Sequence, residues 1–317
     1  LKECEIAPIC NYLSAPGGAI DVYSNATGCN SITDIASACG ITPPCLPYGN
    51  YYFLSQQDID NFQVFYPNCS QLEGDVTING DDITNLYGLN TITTITGNLL
   101  VGGNIFTNNG NPLLNDLGGL DSLSYIGGNL SVAGNPSLTS LSGLENLLAC
   151  GGGLEIVYNI SLQKLTGLNN LVELGGNFFL AGLALSDLSG LENLNSIQGD
   201  FQIGISTPGG ALGVPLSNLK GLESLETIGG TFYIMVSSIS NLVGLESLKY
   251  IGGNMKLGDP LGWWSPPYTS FTGIDNLDYI GGDLRINYCS SITDLSGFES
   301  LDSIGGGIKI YYCPSLT

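Results

Sequence analysis

Histidine is absent from this 317-residue chain, and only seven residues are Lys or Arg. The first absence removes the commonest general base and the commonest neutral metal ligand. The second is set against 28 acids, for a formal charge of −21, and disfavours nucleic acid and anionic membranes as partners. No uninterrupted apolar run approaches the roughly twenty residues of a membrane-spanning helix, so membrane insertion is not expected. No CxxC pair occurs, and zinc therefore lacks its usual ligand spacing. Neither a phosphate-binding loop nor a nucleophile with a positioned base can be read. The expectation is a protein that is not an enzyme and holds no cofactor.

What is present is glycine, 46 residues of it, and a mean hydropathy of +0.23 with only 11% charged residues. The chain also repeats itself. The phrase LxGL begins at Leu117, Leu141, Leu165 and Leu188, a period of 23 to 24 residues, and recurs with insertions from Leu86 to Leu295. Each phrase leads to IGG or a relative and then to a short alternating stretch such as "NLSV" or "DFQI". Alternation sends Leu130 and Val132 inward and Asn129 and Ser131 outward. Leu138, Leu141, Leu144 and Leu147 fill the rest of each unit's interior. One unit cannot cover its own apolar face, but stacked units share a continuous core. The reading is an all-β solenoid over residues 73–317 with an incomplete last coil.

Residues 45–72 read as an N-terminal cap. In "SQQDIDNFQVFYPNC", Ser55 and Asp58 have capping-box spacing, and Ile59, Phe62 and Phe65 share a helix face. Cys45 and Cys69 bracket this segment, where a bridge would pin it. Six of the nine cysteines precede residue 70, a disulfide pattern of oxidising, extracellular or cell-surface settings. Six cysteines admit many pairings. The expected set is Cys45–Cys69, Cys10–Cys29 and Cys4–Cys39. Cys289 and Cys313 occupy equivalent positions in consecutive units, where Asn135 and Asn159 stand elsewhere, and a further bridge is expected there. Cys150 replaces the Ile of IGG and should be a buried, unreactive thiol.

The pattern "FxxxYPNCxxLEGDVTI", followed by "GLExLxxIGGxLxI" units, resembles receptor L-domain-like, leucine-rich β-helix repeats. Such repeats form ligand-binding lobes of insulin and epidermal growth factor receptors. They also recur in long secreted surface proteins of Bacteroidota exported by type IX secretion. The resemblance covers residues 45–317 and implies a right-handed β-helix without enzymatic activity, acting as a binding, adhesive or structural module. Residues 1–44 resemble the C-terminal cap of such a domain, with a short helix from Ser31 to Cys39. Joining the end to the beginning gives "CPSLT–LKECEIAPIC", an unfinished coil followed by a closing cap. That suggests one period of a tandem polymer.

Stacking places equivalent residues in rows. The residue after LxGL is acidic at Asp121, Glu145, Glu192, Glu223, Glu246, Asp275 and Glu299. Such a row invites calcium, or else each carboxylate accepts backbone N–H groups at its own corner; the second is favoured, since a repeated corner needs a repeated cap. On the outward row of the alternating strands, Lys256, Arg285 and Lys309 line up, a strip for an acidic partner surface unless nearby acids such as Asp283 neutralise it. Insertions near Gly103–Pro112, Ser206–Pro215 and Asp259–Pro267 fall at one edge. The third carries Trp263 and Trp264 beside Tyr268, either an exposed aromatic contact surface or a cover over a core gap. The resulting expectation is a secreted structural or adhesive protein whose partners are copies of itself. The alternative is a monomeric adhesin module that binds glycans or surface proteins through the inserted loops.

Overall fold

A computed structural model describes residues 7–14, 29, 32–41, 45, 49–103, 109–207, 210–235, 238–258 and 265–317. Most regular structure is β-strand, gathered into two parallel sheets of eleven and ten strands. Within each sheet, neighbouring strands come from successive repeats, and the chain alternates between the sheets as it advances. The arrangement is β-solenoid-like.

Register follows the repeat residue for residue. Leu130, Ser131 and Val132 lie beside Leu154, Glu155 and Ile156, which lie beside Phe178, Phe179 and Leu180. Slipping by one residue would send every buried side chain to the outer face, so the alternation fixes the pairing. Leu141, Leu165 and Leu188 are fully buried in one continuous core. Phe178, Phe201 and Phe232 stack in successive strands with ring centroids 4.9 and 5.2 Å apart. The Gly of LxGL is required by its backbone. Gly143 has φ of +110°, and a Cβ there would lie 2.1 Å from the Leu117 carbonyl oxygen of the preceding repeat.

Three short α-helices accompany the sheets among the described residues. Helices α1 (Ala7–Ser14) and α2 (Ile32–Ala38) are tied by a Cys10–Cys39 disulfide. That corrects the expected Cys10–Cys29 and Cys4–Cys39 pairs. Cys10 on α1 and Cys39 just after α2 come together because the two helices pack, which no spacing rule reveals. Cys29 is itself disulfide-bonded, and Cys4 lies outside the described residues. Helix α3 (Gln56–Phe65) opens at Ser55, whose side chain accepts the Asp58 N–H. The Asp58 carboxylate in turn accepts Leu54 N–H at 3.0 Å and the Ser55 hydroxyl at 2.9 Å. Ile59 and Phe62 are buried, whereas Phe65, expected on the same face, is exposed. It lines a groove shared with Asn50 and Tyr52 instead. Cys45 and Cys69 are bonded to each other.

Candidate functional surfaces

Polar side chains in this molecule run in rows along the stack. The first row is the acidic one. All seven carboxylates expected after LxGL accept the N–H of the glycine two residues earlier, at 2.7 to 3.0 Å. Asn169 does the same for Gly167 at 3.2 Å. Each acid therefore closes its own corner, the capping arrangement. No group of three or more Cys, Asp or Glu among the described residues is arranged to hold a metal ion.

A second row sits at the start of the long-sheet strands. The Asn98 N–H donates to Asp75 Oδ1, Asn129 N–H to Asn98 Oδ1, and Gly153 N–H to Asn129 Oδ1, at 2.6 to 2.8 Å. Gly153 carries no side-chain acceptor, so the row breaks there while the stack continues. Asn177 resumes it by accepting the Asp200 N–H at 2.9 Å.

The third row is buried. Asn111, Asn135 and Asn159 have no exposed surface. Asn135 Oδ1 accepts the Asn111 N–H at 2.9 Å, and Asn159 Oδ1 accepts the Asn135 N–H at 3.0 Å. The Asn135 amide donates to the Val101 carbonyl of the preceding repeat at 3.0 Å, as Asn159 does to Val132 at 2.8 Å. Asn111 belongs to this row, although the insertion before it hides the equivalence in sequence. Cys289 and Cys313 take the same place near the other end. They are free thiols, which corrects the expected bridge. Parallel stacking makes their side chains point the same way: Cys289 Sγ faces the Leu257 carbonyl at 3.9 Å, and Cys313 Sγ faces Ile286 at 3.8 Å. Burial pushes the Cys289 thiol up to about 12, and likewise that of Cys150.

The basic strip proves largely neutralised. Lys309 Nζ and Arg285 Nη2 both lie 2.6 Å from Asp283 Oδ2. The Lys309 ammonium, the Gly307 N–H and the Arg285 guanidinium hold the Asp283 carboxyl well below the usual carboxylate range. Lys256 instead stands over the Tyr233 ring, 5.6 Å from its centroid, on the adjacent strand. Tyr268 is not an exposed contact residue; it is buried against Phe271 with centroids 5.8 Å apart. It faces the core where the third insertion interrupts the repeat. Trp263 and Trp264 lie outside the described residues.

The two ends of the long sheet differ. At the first, strand Tyr51–Phe53 has one strand neighbour among the described residues, and a groove of about 190 Å³ runs between it and α3. Asn50, Tyr52, Asp58, Asn61, Phe65 and Tyr66 line this groove with neighbouring core rings. Tyr51 and Phe53 are buried, so the core is closed beneath it. At the other end, strand Ile308–Tyr311 also has one strand neighbour among the described residues. There Ile308 is 62% exposed, whereas Leu284, its neighbour in register, is 3% exposed. Leu301, Ile304, Ile310 and Leu316 are only partly buried.

Among the described residues no helix is long and apolar enough to cross a membrane. No family model matches the chain. No curated protein matches it in sequence.

Proposed function

We propose that the protein is a secreted, non-enzymatic structural protein that assembles with copies of itself at the cell surface. Its coils are read as right-handed and L-domain-like, as in the secreted surface proteins of Bacteroidota that its repeats resemble, with residues 45–72 as the N-terminal cap. The observation that carries the proposal is the long stack of equivalent repeats on one shared core, eleven and ten parallel strands deep. Such quasi-one-dimensional stacks present extended, repeated surfaces to partners. The polar rows add support, because they hold the units in register and make a stiff subunit. The disulfides of the N-terminal region fit an oxidising location.

Negative-stain microscopy of the native material tests this reading. Filaments or a layer with a regular axial repeat are the expected result. Dispersed single particles at every concentration tried would remove it, and glycan binding by those particles would favour an adhesin module instead.

A further inference from the structure

The geometry points to Tyr250 and Tyr279 as a modification site: two phenols held side by side in neighbouring repeats, placed to be joined by a carbon–carbon bond when a peroxide-driven one-electron oxidant acts on the protein. The site does not depend on the assembly reading.

Both tyrosines take the outward position of the ten-stranded sheet, each next to the inward Ile of IGG. Tyr250 pairs in register with Tyr279, as Ile251 does with Ile280. Their rings are nearly parallel, with centroids 5.1 Å apart and planes inclined by 8°. The glycines that follow leave room for this. A Cβ on Gly252 would come within 3.2 Å of the Tyr250 ring, and one on Gly281 within 3.3 Å of the Tyr279 ring. Each ring therefore lies over its own glycine, and the two point the same way. Tyr250 is 42% exposed and Tyr279 half-buried, so an oxidant in solution reaches the pair. The row continues to Thr227 on one side and Ser303 on the other, so neither ring has another tyrosine beside it in register.

The chemistry balances with hydrogen peroxide as the terminal oxidant. One electron leaves each phenol and its hydroxyl proton goes to water, giving two phenoxyl radicals. Rotations of partly exposed side chains are fast, and they bring the two Cε carbons together. A bond forms between those carbons, and the hydrogen on each moves to restore the phenol hydroxyl. Two hydrogens have then left the pair, and one peroxide has become two waters. Few other side chains compete as electron donors. The chain has two Met and two Trp, Met255 is buried, and so are the Cys150 and Cys289 thiols. The disulfides fit a setting where oxidants persist. The segment between the two tyrosines includes the third insertion, so the link would close a loop around it and restrict the unfolded chain.

The test treats the 317-residue chain, kept dilute, with hydrogen peroxide and a haem peroxidase, and maps peptides from the monomer fraction. Peptides carrying residues 250 and 279 should be joined, lighter than their sum by two hydrogens, with the blue fluorescence of a biphenol. Tyr250→Phe and Tyr279→Phe should each abolish that link. Tyr125 is the internal comparison: it holds the same repeat position and is 43% exposed, but its neighbours in register are Thr94 and Ala149. Its coupling within the chain should be about tenfold lower or less. Ala149→Tyr supplies the missing neighbour and should raise it to the level of the native pair. Monomer whose tyrosines are oxidised without a 250–279 link would overturn the assignment, as would equal coupling of Tyr125 within the unsubstituted chain.

Discussion

The repeat position that holds Asn135 and Asn159 in the middle of the stack holds Cys289 and Cys313 near its end, and the backbone around the two pairs is nearly the same. In both regions the side chain points at a carbonyl of the preceding repeat. The amides do more. Asn135 and Asn159 each accept the N–H of the preceding Asn, so Asn111, Asn135 and Asn159 form a continuous chain of bonds. A thiol is a weak donor and a weak acceptor, and it supports the fold mainly by filling space. The difference teaches that the fold needs an occupant of the right size at this corner, whereas rigidity depends on which atoms that occupant brings.

The largest effect should come from breaking the amide row at its centre. Asn135→Ala strips the Asn111 N–H of its acceptor inside the core and removes the amide's donations to the Val101 carbonyl and to Asn159 Oδ1, which keeps the residue-135 N–H. A stranded buried group costs about 1–3 kcal/mol and each further lost bond about 1 kcal/mol, so thermal or denaturant unfolding should show a loss of about 3 kcal/mol. Cys289→Ala, at the same repeat position, removes only a weak donor and a small volume. It should cost about 1 kcal/mol by the same measurement. If the two variants lose equal stability, the contrast between the regions is wrong.

Thiol labelling sharpens the comparison within the second region. Cys313 is half-buried, while Cys150 and Cys289 are buried with thiols pushed up to about 12. Native protein at pH 8 should therefore be alkylated first at Cys313, by about tenfold or more in rate. Labelling of Cys289 would follow only on unfolding.

The smallest effect concerns Asp283, which joins the end region through Lys309 and Arg285. Its carboxyl is held below the ordinary range, so its contribution is complete above about pH 4. That contribution is lost as pH falls through the lower folded-state value. Asp283→Asn should lower the melting temperature at pH 7. The gap should persist near pH 4 and close only in stronger acid.

Much of the stack was legible because its signals are local and repeated. Alternation at Leu130 and Val132, the spacing of Leu141, Leu165 and Leu188, and the capping spacing of Ser55 and Asp58 each need only a few residues to read. The acidic row was legible as a row, and its chemistry followed from the neighbouring glycines. Harder features depend on what lies across the fold. Cys10 finds Cys39 through helix packing, and Tyr268 is buried against Phe271. The Asn row was half hidden because the insertion before Asn111 shifts its distance from the preceding repeat.

The lengthwise rows also have a mechanical consequence. A pull along the axis loads successive repeats in series, like links, and a series of links parts at its weakest member whatever the strength of the others. The amide-linked repeats are then the ones that hold. The step between Cys289 and Cys313, where beside the strand ladder one thiol facing the Ile286 carbonyl and the shared Asp283 carboxylate stand in for the amide row, is where such a stack would yield first.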